Sequence, residues 1–213
     1  MRLAALLLFA ISCCGRAVVL DRIAVVVGKY VIKTSDIDRD LRLTEFLNQE
    51  PLNLSAAARK QSADRLVDQE LIRAEISANG YSRATDSDAD ALLHQIEHDR
   101  FGNVEARMTA ELQRYGLTKD ELRSQLLWQL TVLKFIQQRF QPGVVVSDEA
   151  VKAYYDQHQA DLRRQYPRDN NFQTLEPKVR SLLEGEAVNH DFENWLAAAR
   201  KRTTVQYHQG AFQ

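Results

Sequence analysis

The chain has 213 residues, with 28 Lys and Arg against 29 Asp and Glu and a formal net charge of −1. A near-neutral chain of mixed signs lacks the cationic excess of an electrostatic nucleic-acid binder, so that partner class is excluded. Eight glycines and four prolines are few for this length and suit a mainly helical protein with one sizeable core.

The opening "MRLAALLLFAISCCGRA" reads as a secretory signal over residues 1–17. Arg2 supplies the positive end, Leu3 to Ile11 the apolar run, and Gly15-Arg16-Ala17 a small-x-small cleavage site. The apolar run is far shorter than the ~20 residues that span a bilayer, so no stable membrane span is expected. Lipid attachment at Cys13 is the alternative. Cys13 and Cys14 are the only cysteines. If they leave with the signal, disulfides, thiolate catalysis and Cys-ligated zinc leave with them.

The next stretch, "VLDRIAVVVGKYVIKTSDIDRDL", has β-branched residues on both sides of Gly28-Lys29. It predicts a hairpin of Arg22 to Val27 and Tyr30 to Lys33. Ser35 is the expected N-cap of a first helix that runs to about Asn48. Ser55 is expected to cap a long second helix that stops at Asn79-Gly80. A third helix runs from Asp86 to about Arg100, and a fourth ends at Tyr115-Gly116. Thr118 with Glu121 forms a capping box for a fifth, ending near Phe140.

Stepping about 100° per residue along the fifth helix puts Leu122, Leu126, Leu130, Leu133 and Phe140 on one stripe. Trp128, Val132, Phe135 and Ile136 form a second. One stripe suffices for packing on one neighbour. Two mean either that the helix is sandwiched or that one face binds something from outside.

Ser147-Asp148 open a sixth helix, "SDEAVKAYYDQHQADL", followed by a polar loop over Arg163 to Gln173. Thr174 is the expected cap of a last long helix, with Pro177 tolerated in its first turn. The tyrosines Tyr154 and Tyr155, and Phe192 and Trp195 of the last helix, have the spacing of core residues. The chain then turns to a β-type run, "TTVQYH". A lone strand needs a partner, and the only other strands lie in the N-terminal hairpin, so the two ends are expected to pair.

"HQIEH" at residues 94 to 98 matches the inverted zinc-peptidase pattern. His94 and His98 fall nearly opposite the stripe of Leu92 and Ile96, however, and a catalytic zinc needs a third ligand in a protected cavity. The match is read as a solvated helix face, with no metal site and no cofactor expected, and the zinc peptidase as a remote alternative. P-loop, nucleophile-elbow and Gly-rich dinucleotide signatures are not present in the sequence.

"LDRIAVVVGKYVIKTSDIDRDL" resembles the opening of SurA-type periplasmic chaperones, and "RLVDQELIRAEISANGY" is similar to that family's second helix. "VSDEAVKAYYDQHQADL" resembles the helix that precedes a parvulin prolyl-isomerase domain there. "VRSLLEGEAVNHDFENWLAAARKRTTVQY" resembles the closing helix and strand. The pieces stand in family order across most of the chain. The parvulin domain's place is taken by residues 163–173, too short for a domain.

The resemblance implies one helical chaperone domain over residues 18–213, with a small β-sheet made by the N-terminal hairpin and a C-terminal strand, and without the isomerase. It implies a non-enzymatic, ATP-independent periplasmic chaperone for unfolded outer-membrane or secreted proteins. Trp128, Val132, Phe135 and Ile136 are the candidate client-binding residues. Burial of that stripe under the last helix is the competing reading of those four residues. An envelope adaptor with one dedicated partner is the alternative function.

Overall fold

The computed structural model describes residues 21–169 and 171–212. The expected signal over residues 1–17 and the alternative lipid site at Cys13 lie outside them. Within the described residues, β1 (Ile23–Val27) and β2 (Tyr30–Lys33) form the expected hairpin. Gly28 turns the chain at φ 57°, a left-handed conformation that costs glycine little. A register irregularity between Ile23 and Val25 lets two consecutive residues, Ala24 and Val25, both point into the core.

The far end of the chain completes the sheet. β3 (Val205–Tyr207) lies antiparallel on the free edge of β1, with Val25 opposite Tyr207 and Val27 opposite Val205. Gly28 N–H donates to the Thr204 carbonyl and His208 N–H to the Ala24 carbonyl, both at 2.9 Å. The strand order is β2-β1-β3, so the first strand is the central one. Tertiary pairing satisfies a backbone edge that a two-stranded hairpin would leave open.

Eight α-helices make up most of the remaining described residues, which are 74% helical. They are α1 (Thr34–Asn48), α2 (Ala56–Asn79), α3 (Asp86–Phe101), α4 (Glu105–Arg114), α5 (Lys119–Phe140), α6 (Asp148–Gln157), α7 (Gln159–Gln165) and α8 (Phe172–Arg202). Local capping chemistry sets many of the boundaries. Ser55 Oγ accepts from Ala58 N–H, and the Thr118–Glu121 capping box is formed. None of the described helices is long and apolar enough to cross a membrane.

Three boundaries differ from the sequence reading. α1 starts at Thr34 rather than after Ser35, because the Asp21 carboxylate accepts from Thr34 Oγ1 at 2.9 Å, Ser35 N–H at 3.1 Å and Ser35 Oγ at 2.5 Å. The Ser35 hydroxyl is therefore spent on a distant carboxylate instead of capping its own helix. The region read as a loop from Arg163 is helical through Gln165, after a break at His158. Asn171, not Thr174, caps α8 by accepting from Thr174 N–H at 3.0 Å. Pro177 thus falls beyond the first turn and removes one helical hydrogen bond.

Four apolar clusters are strung along the helices. The sheet packs with α1, α2 and the closing residues Ala211 and Phe212. The end of α1 packs with α3, α4 and the first half of α5. The second halves of α2 and α5 meet the middle of α8, whose N-terminal part carries α6 and α7 on its own small core of Val151, Tyr155, Leu162, Leu175 and Val179. Buried Asp40 locks α1 to α2, accepting from Ser62 Oγ and Arg65 Nη2, both at 2.7 Å. A buried carboxylate needs such partners, since leaving it unpaired costs several kcal/mol.

Candidate functional site

α5 is enclosed from two sides, and the enclosing elements change along its length. In its first half, Leu122 and Leu126 are buried beside Phe46, Leu93, Met108 and Leu112. In its second half, Phe135 and Phe140 are buried among Ile72 and Ile76 of α2 and Phe192 and Trp195 of α8. The Phe135 ring meets Tyr81, Trp195 and Phe140 edge-on, with centroids 5.1, 5.5 and 5.9 Å away. Such edge-to-face contacts add to the large apolar area that an aromatic core buries.

The stripe of Trp128, Val132, Phe135 and Ile136 is therefore the joint between α2, α5 and α8. Phe135 is wholly buried and does not face a client; its ring is already held on three sides by aromatics. Val132 and Ile136 are half-buried against the same cluster. From the other stripe, Leu133 is 56% exposed.

Trp128 lines two clefts. The Arg73 guanidinium lies over its ring, 3.8 Å from the centroid, a cation–π arrangement. One cleft, of about 340 Å³, is walled by Arg73, Ile76, Arg83, Leu127, Trp128 and Thr131, with Ser124 at its side. A second, of about 380 Å³, shares Arg73, Ser124 and Trp128 and continues toward Leu43 and Arg39 of α1.

The link between α2 and α3 forms the far wall. Thr131 Oγ1 accepts from Ala84 N–H at 3.2 Å and donates to the Leu127 carbonyl at 2.8 Å. Gln138 Oε1 accepts from Ser82 N–H at 3.1 Å. These two bonds lay the link against α5 and carry Arg83 to the cleft.

The electrostatics are uneven. Arg39 pairs with Glu121 at 3.2 Å, and Arg73 with Glu70 at 3.3 Å. Arg83 donates to Ser77 Oγ at 3.2 Å, and among the described residues no carboxylate pairs with it. Lys134 adds a further cation, donating to the Arg83 carbonyl at 3.4 Å. Burial lowers the Arg73 pKa, the Glu70 charge opposes that, and the like charge of Arg83 lowers it further. Burial raises the Glu70 pKa, against the pull of Arg73. The Arg73 guanidinium stays charged near neutral pH. The arrangement offers a stacking face and guanidinium donors, which is chemistry for binding.

His94 and His98 occupy the solvent side of α3, with side chains 76% and 69% exposed. His98 Nδ1 lies 2.7 Å from Asp99, while His94 Nδ1 lies 4.0 Å from Glu97. Asp90, one turn before His94 on α3 and so able to join the two histidines on that face, is engaged by Arg123. Among the described residues, no group of three or more His, Cys, Asp or Glu side chains is arranged to hold a metal ion.

No protein-family model matches the chain, and no curated protein matches it. Of the residues expected to contact a partner, the structure leaves Trp128 beside an open cleft. Sequence reasoning missed Arg73, Arg83 and Ser124. The only trace of Arg83 was the short link "YSRATD" after α2, which fixes it near that helix end but does not identify α5 as its neighbour.

Proposed function

We propose that this protein is an ATP-independent periplasmic holding chaperone, the helical body of a SurA-type chaperone without the isomerase domain. The observation that carries the reading is the closure of the body by both chain ends, β3 on β1, in the order that the family resemblance implies. Between α7 and α8 there is only the short connection of residues 166–171, which supports a body whose inserted module is absent.

A holding chaperone needs apolar surface that binds extended segments weakly and releases them without nucleotide. The cleft at Trp128 supplies one such surface. Ile23, Val31, Leu133 and Leu182 are further apolar side chains between 43% and 56% exposed. The experiment is light scattering of an outer-membrane protein diluted from urea, with and without the mature chain. Dose-dependent suppression without nucleotide is expected, for more than one client. Failure to suppress, together with a single tight stoichiometric partner in envelope extracts, would replace the reading with the adaptor. The reading also entails that a proline-peptide isomerisation assay shows no acceleration over buffer.

A further inference from the structure

We propose that the cleft beside Trp128 is an anion-accepting subsite that takes carboxylate-bearing apolar segments of an unfolded polypeptide. The inference rests on the holding-chaperone reading and adds the chemistry of the segment held.

Three features argue for it together. The walls contributed by Ile76, Leu127 and Trp128 are apolar, and Trp128 lines both neighbouring clefts, so its indole remains accessible beside the Arg73 guanidinium. Arg83 stands at the same cleft, and among the described residues its only side-chain bond goes to the Ser77 hydroxyl. Most of its planar fork is thus available for the bidentate contact that a carboxylate makes. Finally, the first cleft holds two guanidiniums and no carboxylate in its lining. Glu70 answers Arg73, and among the described residues Arg83 has no carboxylate partner, so an anionic group from outside can pair with it.

The size and walls restrict the class of anion. A volume of about 340 Å³ admits one or two side chains rather than a folded surface. A phosphate group would answer the charge but leave the apolar walls unused. An Asp or Glu flanked by aromatic or aliphatic residues uses both. The overall charge of −1 gives no field that would draw a polyanion to this face.

The test uses the full mature chain carrying Trp195→Phe, so that fluorescence reports Trp128 alone, with calorimetry as the second readout. The probes are an unstructured peptide of alternating Phe and Asp, the same peptide with each Asp replaced by Asn, and N-acetylphenylalaninate as a small carboxylate. The acidic peptide is expected to bind about tenfold more tightly than its Asn counterpart, the size of one charged hydrogen bond. That ratio should fall toward one in Arg83→Gln, survive in part in Arg83→Lys, and shrink with added salt. Thermal melting of each variant establishes that it is folded.

Equal affinity for the two peptides, binding of neither, or an acidic preference that persists in the Arg73→Gln, Arg83→Gln double variant overturns the proposal. So does N-acetylphenylalaninate binding as tightly as the acidic peptide, which would make the cleft a small-molecule site. If any of these occurs while aggregation is still suppressed, only the subsite is lost. If suppression itself fails, the chaperone reading falls first.

Discussion

Val25 and Tyr207, near opposite ends of the described chain, face each other as cross-strand partners. The Tyr207 hydroxyl then reaches on to Asp64 of α2 at 2.5 Å, while Lys60 lies over its ring, 4.1 Å from the centroid. Arg200 completes the clasp, donating to Asp68 at 2.5 Å and to the Asp64 carbonyl at 2.7 Å. The terminal segment is thus built into the body through strand pairing, an aromatic ring and charged hydrogen bonds.

Deleting residues 203–213 should therefore destabilise the whole body. Ala211 and Phe212 are buried in the same core as Val25, Val27 and Val67. Phe212→Ala alone is expected to cost about 3 kcal/mol through the cavity it leaves. Urea unfolding followed by circular dichroism measures both. A truncated chain with the wild-type midpoint would mean that β3 contributes nothing.

The clasp also sets the pH response. Burial, then the hydrogen bond to Asp64, pushes the Tyr207 pKa up to about 12. A folded-state pKa above the unfolded value of about 10 stabilises at lower pH, and that stabilisation is lost as pH rises between those values. Asp64 works in the opposite direction. Burial raises its pKa, but hydrogen bonds from Lys60 and Tyr207 outweigh that and hold it below the usual range. Its contribution is present above about pH 4 and lost as pH falls through the folded-state value. Tyr207→Phe should lower stability by about 1 kcal/mol at neutral pH and flatten the alkaline limb. Melting temperatures across pH, wild type beside variant, read both effects.

Two glycines should respond to alanine with opposite signs. Gly116 has φ 67°, and a Cβ there would lie 2.7 Å from Arg42 Nη1. That guanidinium is committed to the Tyr115 carbonyl at 2.7 Å, so Gly116→Ala should cost roughly 1–2 kcal/mol. Gly185 lies inside α8 with nothing within 4 Å of its Cβ position. Gly185→Ala should stabilise by about 0.5–1 kcal/mol by lowering backbone entropy in the unfolded chain. Denaturant titration of the two variants compares them directly.

Local chemistry made much of this fold readable. Ser55, Thr118 and Ser147 each cap the helix that their sequence context announces. The strand Val205–Tyr207, within the run 203–208, was legible because an unpaired β run after a long helix demands a partner, and only the N-terminal hairpin offered one. What stayed hidden depends on distant groups. Ser35 is a good cap in sequence, but Asp21 takes its hydroxyl. The two stripes of α5 were visible, yet which of them α8 would cover was not. The cation-lined cleft needs α2, the link after it and α5 at once, a meeting that periodicity along one helix does not encode.

His94→Ala with His98→Ala should leave stability within about 0.5 kcal/mol of wild type, as expected for exposed side chains whose nearest carboxylate contacts are long or at the surface. Melting temperature should not move when zinc or a chelator is added. Stoichiometric zinc in the purified protein, lost in the double variant together with an activity, would instead revive the peptidase pattern.

The sharpest separation of scaffold from binding surface lies between two residues two turns apart on one stripe of α5. Phe135 is wholly buried among Tyr81, Phe140 and Trp195, so Phe135→Ala should cost about 3–5 kcal/mol. Any loss of aggregation suppression in that variant should be recovered by cooling it to where it is folded. Trp128 is only half-buried and holds Arg73 over its ring. Trp128→Ala removes one stacking contact at a partly open site and should cost roughly 1–2 kcal/mol. It also removes the aromatic wall shared by both clefts, so the chain concentration that halves client scattering should rise about tenfold, equivalent to 1.4 kcal/mol of binding. Because the variant stays folded, that loss should persist at every temperature tested. Should Trp128→Ala suppress aggregation as wild type does, clients are held elsewhere, and the exposed residues Ile23, Val31, Leu133 and Leu182 become the surfaces to vary next.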